Sequence, residues 1–407
     1  MRTKHEIHVI GAGLAGLTAA AFIARAGLPV VVHESRNRLG GRATTDDRDG
    51  FRFDQGPHAL YRGGAAERIL TELGVRPRGA APDVRGVLVR DGRLHRAPAG
   101  APSLLATTAL GWRGKLQLAR VLQGLARMRP ADHAAHTVEE WIDATVQDDR
   151  ARELLAMLVR LTTYSNHPRT MSADVAILML QAGLGPGVRY LEGGWDQLVG
   201  ALAAHPGVRI IEGSPLHELP DAAAVVLAVG SPAAATALAG VPVTRLEVGP
   251  AAETACLDLG LRGTPPHPVA LGLDVPIYAS HHSSPGGRAP AGHSVVALAE
   301  YLAPDVEPSR ERLEAFAETM GIARGSVVAQ RYLHRMVACT AIPSAALGGL
   351  RGRPDVDVLA QLTGRPGTFV AGDWVGTEGH LADAVLASAR AAALAAVHHV
   401  ERLPVAG

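Results

Sequence analysis

The sequence predicts an α/β chain: a Rossmann-like parallel sheet drawn from separated segments, joined to a mixed α+β part. Three observations predict it. The apolar run Ile7 to Ile10 enters Gly11-Ala12-Gly13-Leu14-Ala15-Gly16, and a helix-like run continues to Ala26 before Gly27 stops it. A second apolar run, Val30 to Val32, ends at the acid Glu34. Far down the chain, Thr368-Phe369-Val370-Ala371 leads into Gly372-Asp373, again a strand followed by a glycine and an acid.

The first segment has the order strand, Gly-rich turn, helix, strand, acid, which is the pattern of a dinucleotide site. Gly11 allows the tight turn, Gly13 lets the backbone approach a pyrophosphate, and Gly16 lets the helix pack on the strand. The first helical residues, Leu14 and Ala15, aim free N–H groups and the positive end of the helix dipole at the phosphates. Glu34, with Ser35 behind it, ends the second strand where a carboxylate can accept from ribose hydroxyls.

A second Gly-rich pass follows: Arg38-Leu39-Gly40-Gly41-Arg42, with Thr44 and Thr45 behind. Gly40 and Gly41 suit another backbone approach to the same pyrophosphate, and Arg42 supplies a fork of donors. This extension resembles the FAD signature of the flavin amine oxidase and phytoene desaturase superfamily. The resemblance implies FAD, held non-covalently, and further contacts. Phe53-Asp54-Gln55-Gly56-Pro57-His58 is similar to the family segment that passes close to the flavin ring. Leu216, with Leu219 following, stands where the family holds the adenine with backbone. Gly372-Asp373 resembles the closing motif that touches the ribityl and pyrophosphate. The N–H groups of Leu381 and Ala382 then face the flavin N1–C2=O edge, where reduction places negative charge. The resemblance divides the chain into a discontinuous FAD-binding domain (1–75, 190–240, 355–407) and a substrate domain (76–189, 241–354).

Composition excludes several other classes. The chain has 407 residues and a net charge of +1 with both signs interleaved, so it offers no nucleic-acid surface. Its two cysteines, Cys256 and Cys339, form no CxxC pair, which suits reduced thiols in the cytoplasm. Arg2 and Lys4 before an apolar stretch imitate a secretion signal, but cleavage there would destroy the nucleotide-binding strand. Ala222 to Ala239 contains Gly230, Ser231 and Pro232 and reads as a buried strand with a turn, not a membrane span. No metal-ligand spacing is visible. The adjacent pairs His281-His282 and His398-His399 do not supply one, and no GxSxG elbow supports hydrolysis.

The remaining elements follow in order. Ala65 to Leu73 is a short helix stopped by Gly74, and Val84 to Arg96 is a hairpin around Asp91-Gly92. Ser103 to Met128 is expected as one amphipathic helix with Arg113, Lys115, Arg120, Arg127 and Arg129 on its solvated face. A membrane-surface role for that face is the alternative. Val138 to Arg160 continues as helix. Asp196 to Ala204 is a helix, with strands at Val208 to Ile211, Leu216 to Leu219 and Ala224 to Val229. Strands at Thr254 to Leu261, Val269 to Leu273, Ile277 to His281, Ser294 to Tyr301 and Val327 to Tyr332 surround a helix at Ser309 to Met320. An Ala-rich helix from Leu381 to Val397 closes the chain.

Flavin carries redox chemistry by itself, so few protein residues are obligatory. His58 and His380 are the candidates for a base or a substrate-orienting group. Tyr164, Tyr190, Tyr278, Tyr301 and Tyr332 are candidate pocket residues, though no pair is recognisable as the frame of an amine. A cysteine tether to flavin occurs in monoamine oxidases, but the sequence around Cys339 does not match, and a buried free thiol is expected. Many oxidases of the superfamily place a lysine beside flavin N5 through a water. This chain has two lysines, Lys4 and Lys115, both remote from the flavin motifs. The expected activity is removal of two hydrogens from a C–C or C–N unit of a small, largely apolar molecule, with an electron acceptor the sequence does not name. An amine oxidase producing hydrogen peroxide and a redox-neutral isomerase or cyclase are the alternatives.

Overall fold

The computed structural model describes residues 6–98, 100–283 and 286–403, so Arg2 and Lys4 lie outside the described residues. Five strands form a parallel sheet in the order Val208–Ile211, Val30–His33, Ile7–Ile10, Ala224–Leu227, Thr368–Val370. Counted along the chain, this order is 3-2-1-4-5, a doubly wound α/β sheet. The three central strands read IHVI, VVVH and AVVL. Such near-continuous apolar runs suit strands covered on both faces. The order reverses between Ile7–Ile10 and Ala224–Leu227, and a doubly wound sheet binds its ligand beyond the carboxyl ends of such strands, here at Gly11 and Ala228.

The helices Leu14–Arg25 and Ala382–Glu401 pack against each other beside this sheet. Both helices bury small side chains in the same core. Ala19, Ala20 and Ala21 on one helix and Ala389, Ala392, Ala393 and Ala396 on the other have no solvent exposure.

The second sheet has seven strands in the order Val327–Cys339, Ala252–Arg262, His293–Tyr301, Ile277–His281, Val269–Gly272, Gly86–Arg90, Arg93–Arg96. All neighbours are antiparallel except Val269–Gly272 beside Gly86–Arg90. The expected hairpin closes on Asp91 and Gly92 at φ 51° and 69°, the two positive angles of a type I′ turn. A further hairpin, Thr45–Arg48 with Phe51–Asp54, meets this sheet through Arg331. That guanidinium binds Asp258 at 2.6 Å, Asp46 at 2.7 Å and the carbonyl of Asp54.

Four expectations need correction. Ser103 to Met128 is not one helix but two, Ala101–Ala106 and Trp112–Leu125. Thr107 breaks it: its hydroxyl bonds back to the Arg96 carbonyl, and Gly111 then starts the next helix. Val138 to Arg160 likewise divides into Val138–Thr145 and Asp149–Thr163, because Asp148 caps Ala151 N–H and begins a new helix. Leu216 to Leu219 is a loop, not a strand, bracketed by Pro215 and Pro220. Ala222 to Ala239 contains a helix as well as a strand, since Ser231 caps Pro232–Leu238. No described helix is long and apolar enough to cross a membrane.

Candidate cofactor and active site

The two Gly-rich passes meet beyond these strand ends. Gly13 and Gly40 form a parallel bridge, and Gly40 N–H donates to the Ala12 carbonyl at 2.8 Å. The glycines are not equivalent. A Cβ on Gly16 would lie 1.8 Å from the Gly11 carbonyl oxygen, and one on Gly11 would lie 2.4 Å from that of Ala228. Both are needed simply to fold. Gly13 is different: it is extended at φ −76°, and its added Cβ would meet only the Gly40 oxygen, at 3.9 Å. Neither backbone angle nor packing explains this glycine. The open space in front of it fits a ligand backbone such as a pyrophosphate.

Glu34 is buried, and its carboxylate accepts from Ala12 N–H at 2.8 Å and Arg36 N–H at 2.9 Å. Ser35 Oγ also donates to it, at 3.3 Å. Glu34 therefore holds the Gly-rich turn in shape. Ser214 N–H donates to the Glu34 carbonyl at 2.8 Å, which brings the Leu216 loop alongside. The Leu216 side chain packs with Leu219 against the cluster that contains Ile10 and Trp374.

From the second pass Arg42 reaches Asp373 with both prongs of its guanidinium, at 3.0 and 3.2 Å. Burial alone would push the Asp373 carboxyl up; Arg42, with Thr340 N–H and hydroxyl, outweighs it and holds the group down at about 2. Gly372 is pinned from the closing helix: Ser388 Oγ accepts from its N–H at 3.0 Å and donates to its carbonyl at 2.8 Å. That helix begins after Leu381, which takes a positive φ of 51°. The N–H groups of Leu381 and Ala382 find no partner among the described residues. A strained, non-glycine residue at a helix N-terminus with free donors is a ready anion-stabilising edge.

His380, just before it, has no solvent exposure. Its Nε2 lies 3.1 Å from the Thr163 carbonyl oxygen, so Nε2 carries the proton. Nδ1 is then an unprotonated nitrogen, buried and unpartnered among the described residues. Burial lowers the imidazole to about 4, with Arg353 adding to the effect. His58 sits apart. Its Nδ1 faces the Gly56 carbonyl at 2.9 Å, and its ring leans on Trp195 at 5.1 Å. Gly56-Pro57 press against the second sheet, for a Cβ on Gly56 would strike Met336 Cε at 2.5 Å. Burial holds His58 below the ordinary imidazole value despite the nearby Asp54. No contact joins His58 to His380 among the described residues.

The tyrosines converge more than their spacing in sequence suggests. Tyr278 and Tyr301 stack at 5.8 Å and 9°, and Tyr164 stands edge-on to both, at 6.3 and 6.0 Å. Tyr61 donates to the Thr162 carbonyl at 2.7 Å, beside the His380 contact at Thr163. Tyr190 bonds Ser280 Oγ at 2.6 Å and stacks on His282 at 4.1 Å. Burial raises the hydroxyls of Tyr61, Tyr164, Tyr190, Tyr278 and Tyr301 above the usual phenol value and lowers His282 to about 3, so every member is neutral. Tyr332 is elsewhere, beside His334. Behind the cluster Arg288 and Asp54, both almost fully buried, pair at 2.6 Å. The sequence reading missed Arg288 and Tyr61 and gave His282 no role. Asp54 stood inside a quoted motif, but Arg288 lies in a Gly/Pro loop with no pattern to mark it.

Fold and site together define a flavin-dependent oxidoreductase. The chain belongs to the flavin containing amine oxidoreductase family, whose model matches residues 14–247. It is 47% identical over 66 residues to a phytoene desaturase of Cercospora nicotianae, which is 16% of this chain and 11% of that protein. Among solved structures, an oxidoreductase from Methanosarcina mazei superposes with a TM-score of 0.73 at 18% identity, over 94% of this chain and 98% of that one. Cyclohexylamine oxidase from Brevibacterium oxydans does so with a TM-score of 0.68 at 16% identity, over 98% and 100%. The cofactor of the family is FAD, and the open Gly13 space, the Arg42–Asp373 fork and the free N–H groups at Leu381 and Ala382 fit it.

Proposed function

We propose that this enzyme removes two hydrogens from a C–C or C–N unit of a small, largely apolar molecule lying against the tyrosine cluster. Bound FAD supplies the acceptor for the hydride. The observation that carries the reading is the wall of neutral, buried tyrosines running up to His380 at the N-terminus of the closing helix. Such a wall binds an uncharged, unsaturated or aliphatic skeleton by area and edge contacts. His380 Nδ1 takes the departing proton, since Nε2 is committed to the Thr163 carbonyl and Nδ1 is unpartnered among the described residues. Leu381 and Ala382 N–H groups hold the negative charge that reduction delivers. The five-stranded sheet draws on residues 1–75, 190–240 and 355–407, and the seven-stranded sheet on 76–189 and 241–354, which supports assigning cofactor to the first set and substrate to the second. Cys256 and Cys339 are free and buried, which favours a reducing compartment such as the cytoplasm and a non-covalent flavin.

An amine framed between two rings needs roughly 7 Å or more between their planes, two carbon contacts of about 3.5 Å or more each. The Tyr278–Tyr301 pair, with centroids 5.8 Å apart, has no such gap. This favours a dehydrogenase or desaturase over an amine oxidase. The test is an anaerobic screen of flavin bleaching over polyenes, amines and amino acids. Bleaching by unsaturated or alicyclic compounds and not by primary amines supports the proposal. Bleaching by amines alone reverses the order of the two readings, and turnover without bleaching would indicate a redox-neutral isomerase or cyclase.

A further inference from the structure

The Trp112–Leu125 helix turns to solvent a face that is not purely charged. At about 3.6 residues per turn its buried residues, Gly114, Leu118, Val121 and Leu125, fall on one side. The opposite side carries Trp112, Leu116, Ala119 and Gln123, all exposed. Trp112 is 71% exposed, the highest value of any large hydrophobic residue among the described residues, and Leu116 is 44% exposed. An indole left in water forgoes one of the largest apolar burials a side chain can make.

The flanks of this apolar ridge are basic. Arg113, Arg120 and Arg127 recur every seven residues along one edge, and Lys115 stands on the other. The Arg113 guanidinium lies 5.4 Å from the centre of the Trp112 ring, a cation–π contact that keeps the charge level with the indole. From Gly92 to Ala131 the chain has seven Lys and Arg and no Asp or Glu, although its whole net charge is +1. The edge strand Arg93–Arg96 borders the same region: His95 Nδ1 lies 3.0 Å from Thr108 Oγ1, and Thr107 Oγ1 donates to the Arg96 carbonyl at 2.8 Å. On the Asp149–Thr163 helix packed behind the ridge, Asp149 is held by Arg152 at 3.4 Å and Glu153 by Arg90 at 3.1 Å. The cap of that helix, Asp148, faces Gly114 from the buried side.

We propose that this ridge docks on an anionic lipid bilayer, with Trp112 and Leu116 entering the headgroup layer and Arg113, Arg120 and Arg127 meeting lipid phosphates. Tryptophan and leucine on one strip of a helix, with arginines beside them, is the composition of a helix that lies in the interface plane. Indole suits the headgroup level, with an apolar body and a polar N–H. Arginine adds attraction to anionic lipid, and its stem lies along apolar surface while its head stays in the polar layer. A nucleic acid or an acidic protein would use the charges, but Trp112 and Leu116 stand on a convex surface and would need a matching pocket. A fluid bilayer needs none. No described helix is long and apolar enough to cross the membrane, so the contact is with one leaflet. The inference stands whether or not the tyrosine cluster is the substrate site.

The experiment uses holoenzyme and vesicles of phosphatidylcholine, alone or with about 30 mol% phosphatidylglycerol, read by co-sedimentation and by tryptophan emission. Trp141, Trp195 and Trp374 are buried, so Trp112 is the indole that lipid can reach. The expected result is sedimentation with the anionic vesicles, a blue shift of the emission, and quenching by brominated acyl chains. Raising salt from about 0.1 M to about 0.5 M should weaken the binding, because charges are screened over a shorter distance. Trp112→Ser should remove the shift and the quenching and leave Tm unchanged. Arg113→Gln, Arg120→Gln and Arg127→Gln combined should weaken binding to the anionic vesicles on the order of a hundredfold, at about fivefold per charge. No binding to the anionic vesicles overturns the proposal, and so does equally strong binding to the neutral ones. Binding of the unaltered protein without quenching also overturns it, whatever the variants do, because it would show adsorption by charge alone. Displacement from the vesicles by polyuridylate or polyglutamate at equal charge concentration would assign the face to a nucleic acid or an acidic protein instead.

Discussion

Arg42 and Asp373 stand 331 residues apart in sequence and grip each other through two parallel hydrogen bonds, at 3.0 and 3.2 Å. The pair ties the second Gly-rich pass to the closing strand, so it closes the cofactor crevice from both ends of the chain. Asp373 is 1% exposed while Arg42 is 37% exposed, so the carboxylate depends on the arginine more than the reverse. Removing one partner of a fully buried pair costs about 3–5 kcal/mol. Solvent at Arg42 reduces that to about 1–3 kcal/mol here. Arg42→Met should therefore lower the Tm of the flavin-free protein and also its FAD affinity. Asp373→Asn should do less to Tm, because the amide can keep the Thr340 contacts. Calorimetric melts of both variants, with and without FAD, check the order.

Gly13 separates folding from cofactor binding. Its missing side chain has room in the protein itself, with the Gly40 oxygen 3.9 Å from an added Cβ. Gly13→Val should fold, show an unchanged far-UV spectrum and purify without colour, because the side chain would occupy the pyrophosphate's approach. Gly16→Ala should fail to fold, since its Cβ would fall 1.8 Å from the Gly11 oxygen. A yellow Gly13→Val protein would move the pyrophosphate away from this turn.

His380 sets an acid limit on stability. Its pKa is about 4 in the folded protein against an ordinary 6.5. Between these values the unfolded chain binds a proton that the native protein refuses. Stability from this group is complete above pH 6.5 and falls as pH drops to about 4, by on the order of 3 kcal/mol at 1.36 kcal/mol per unit. His380→Asn, whose amide can still face Thr163, should flatten the decline of Tm between pH 6.5 and 4. An unchanged slope would assign the acid limit to His282, whose value is about 3.

Much of this was legible in the sequence because local rules governed it. Gly11 and the Asp91-Gly92 turn need positive backbone angles, Gly16 needs a close approach to the Gly11 carbonyl, and Gly13 leaves its space open, and spacing reveals each need. Thr107 and Asp148 broke two long helical patterns through side-chain bonds to backbone, which periodicity of apolar residues does not register. The convergence of Tyr164, Tyr278 and Tyr301 depends on two strands of one sheet meeting the end of a helix from another part of the chain. Pairings of that separation leave no local trace, and neither does the burial of Arg288 against Asp54. Glu34 shows both cases: its place at the strand end was readable, but its grip on Ala12 N–H was not.

The reaction with oxygen can be predicted from where lysine is. Of the two lysines, Lys4 lies outside the described residues, and Lys115 is on the Trp112–Leu125 helix. Its neighbour Gly114 faces Asp148, where an added Cβ would be 2.6 Å from the carboxylate. Asp148 caps the start of the Asp149–Thr163 helix, and Thr163 at its end meets His380. That helix has 15 residues, a length of about 22 Å at 1.5 Å per residue. A lysine side chain spans roughly 6 Å, as four carbon links and a terminal nitrogen at ordinary bond lengths allow, so Lys115 stays far from the His380 edge. Arginine is no simple replacement, because it keeps its proton and is larger and planar. Reduced enzyme should therefore reoxidise slowly in air and pass its electrons to another acceptor in turnover. Stopped-flow mixing of photoreduced enzyme with oxygen measures the rate, and Lys115→Met should leave it unchanged. Reoxidation as fast as turnover, with one hydrogen peroxide per flavin, would make this an oxidase and promote the amine-oxidase alternative.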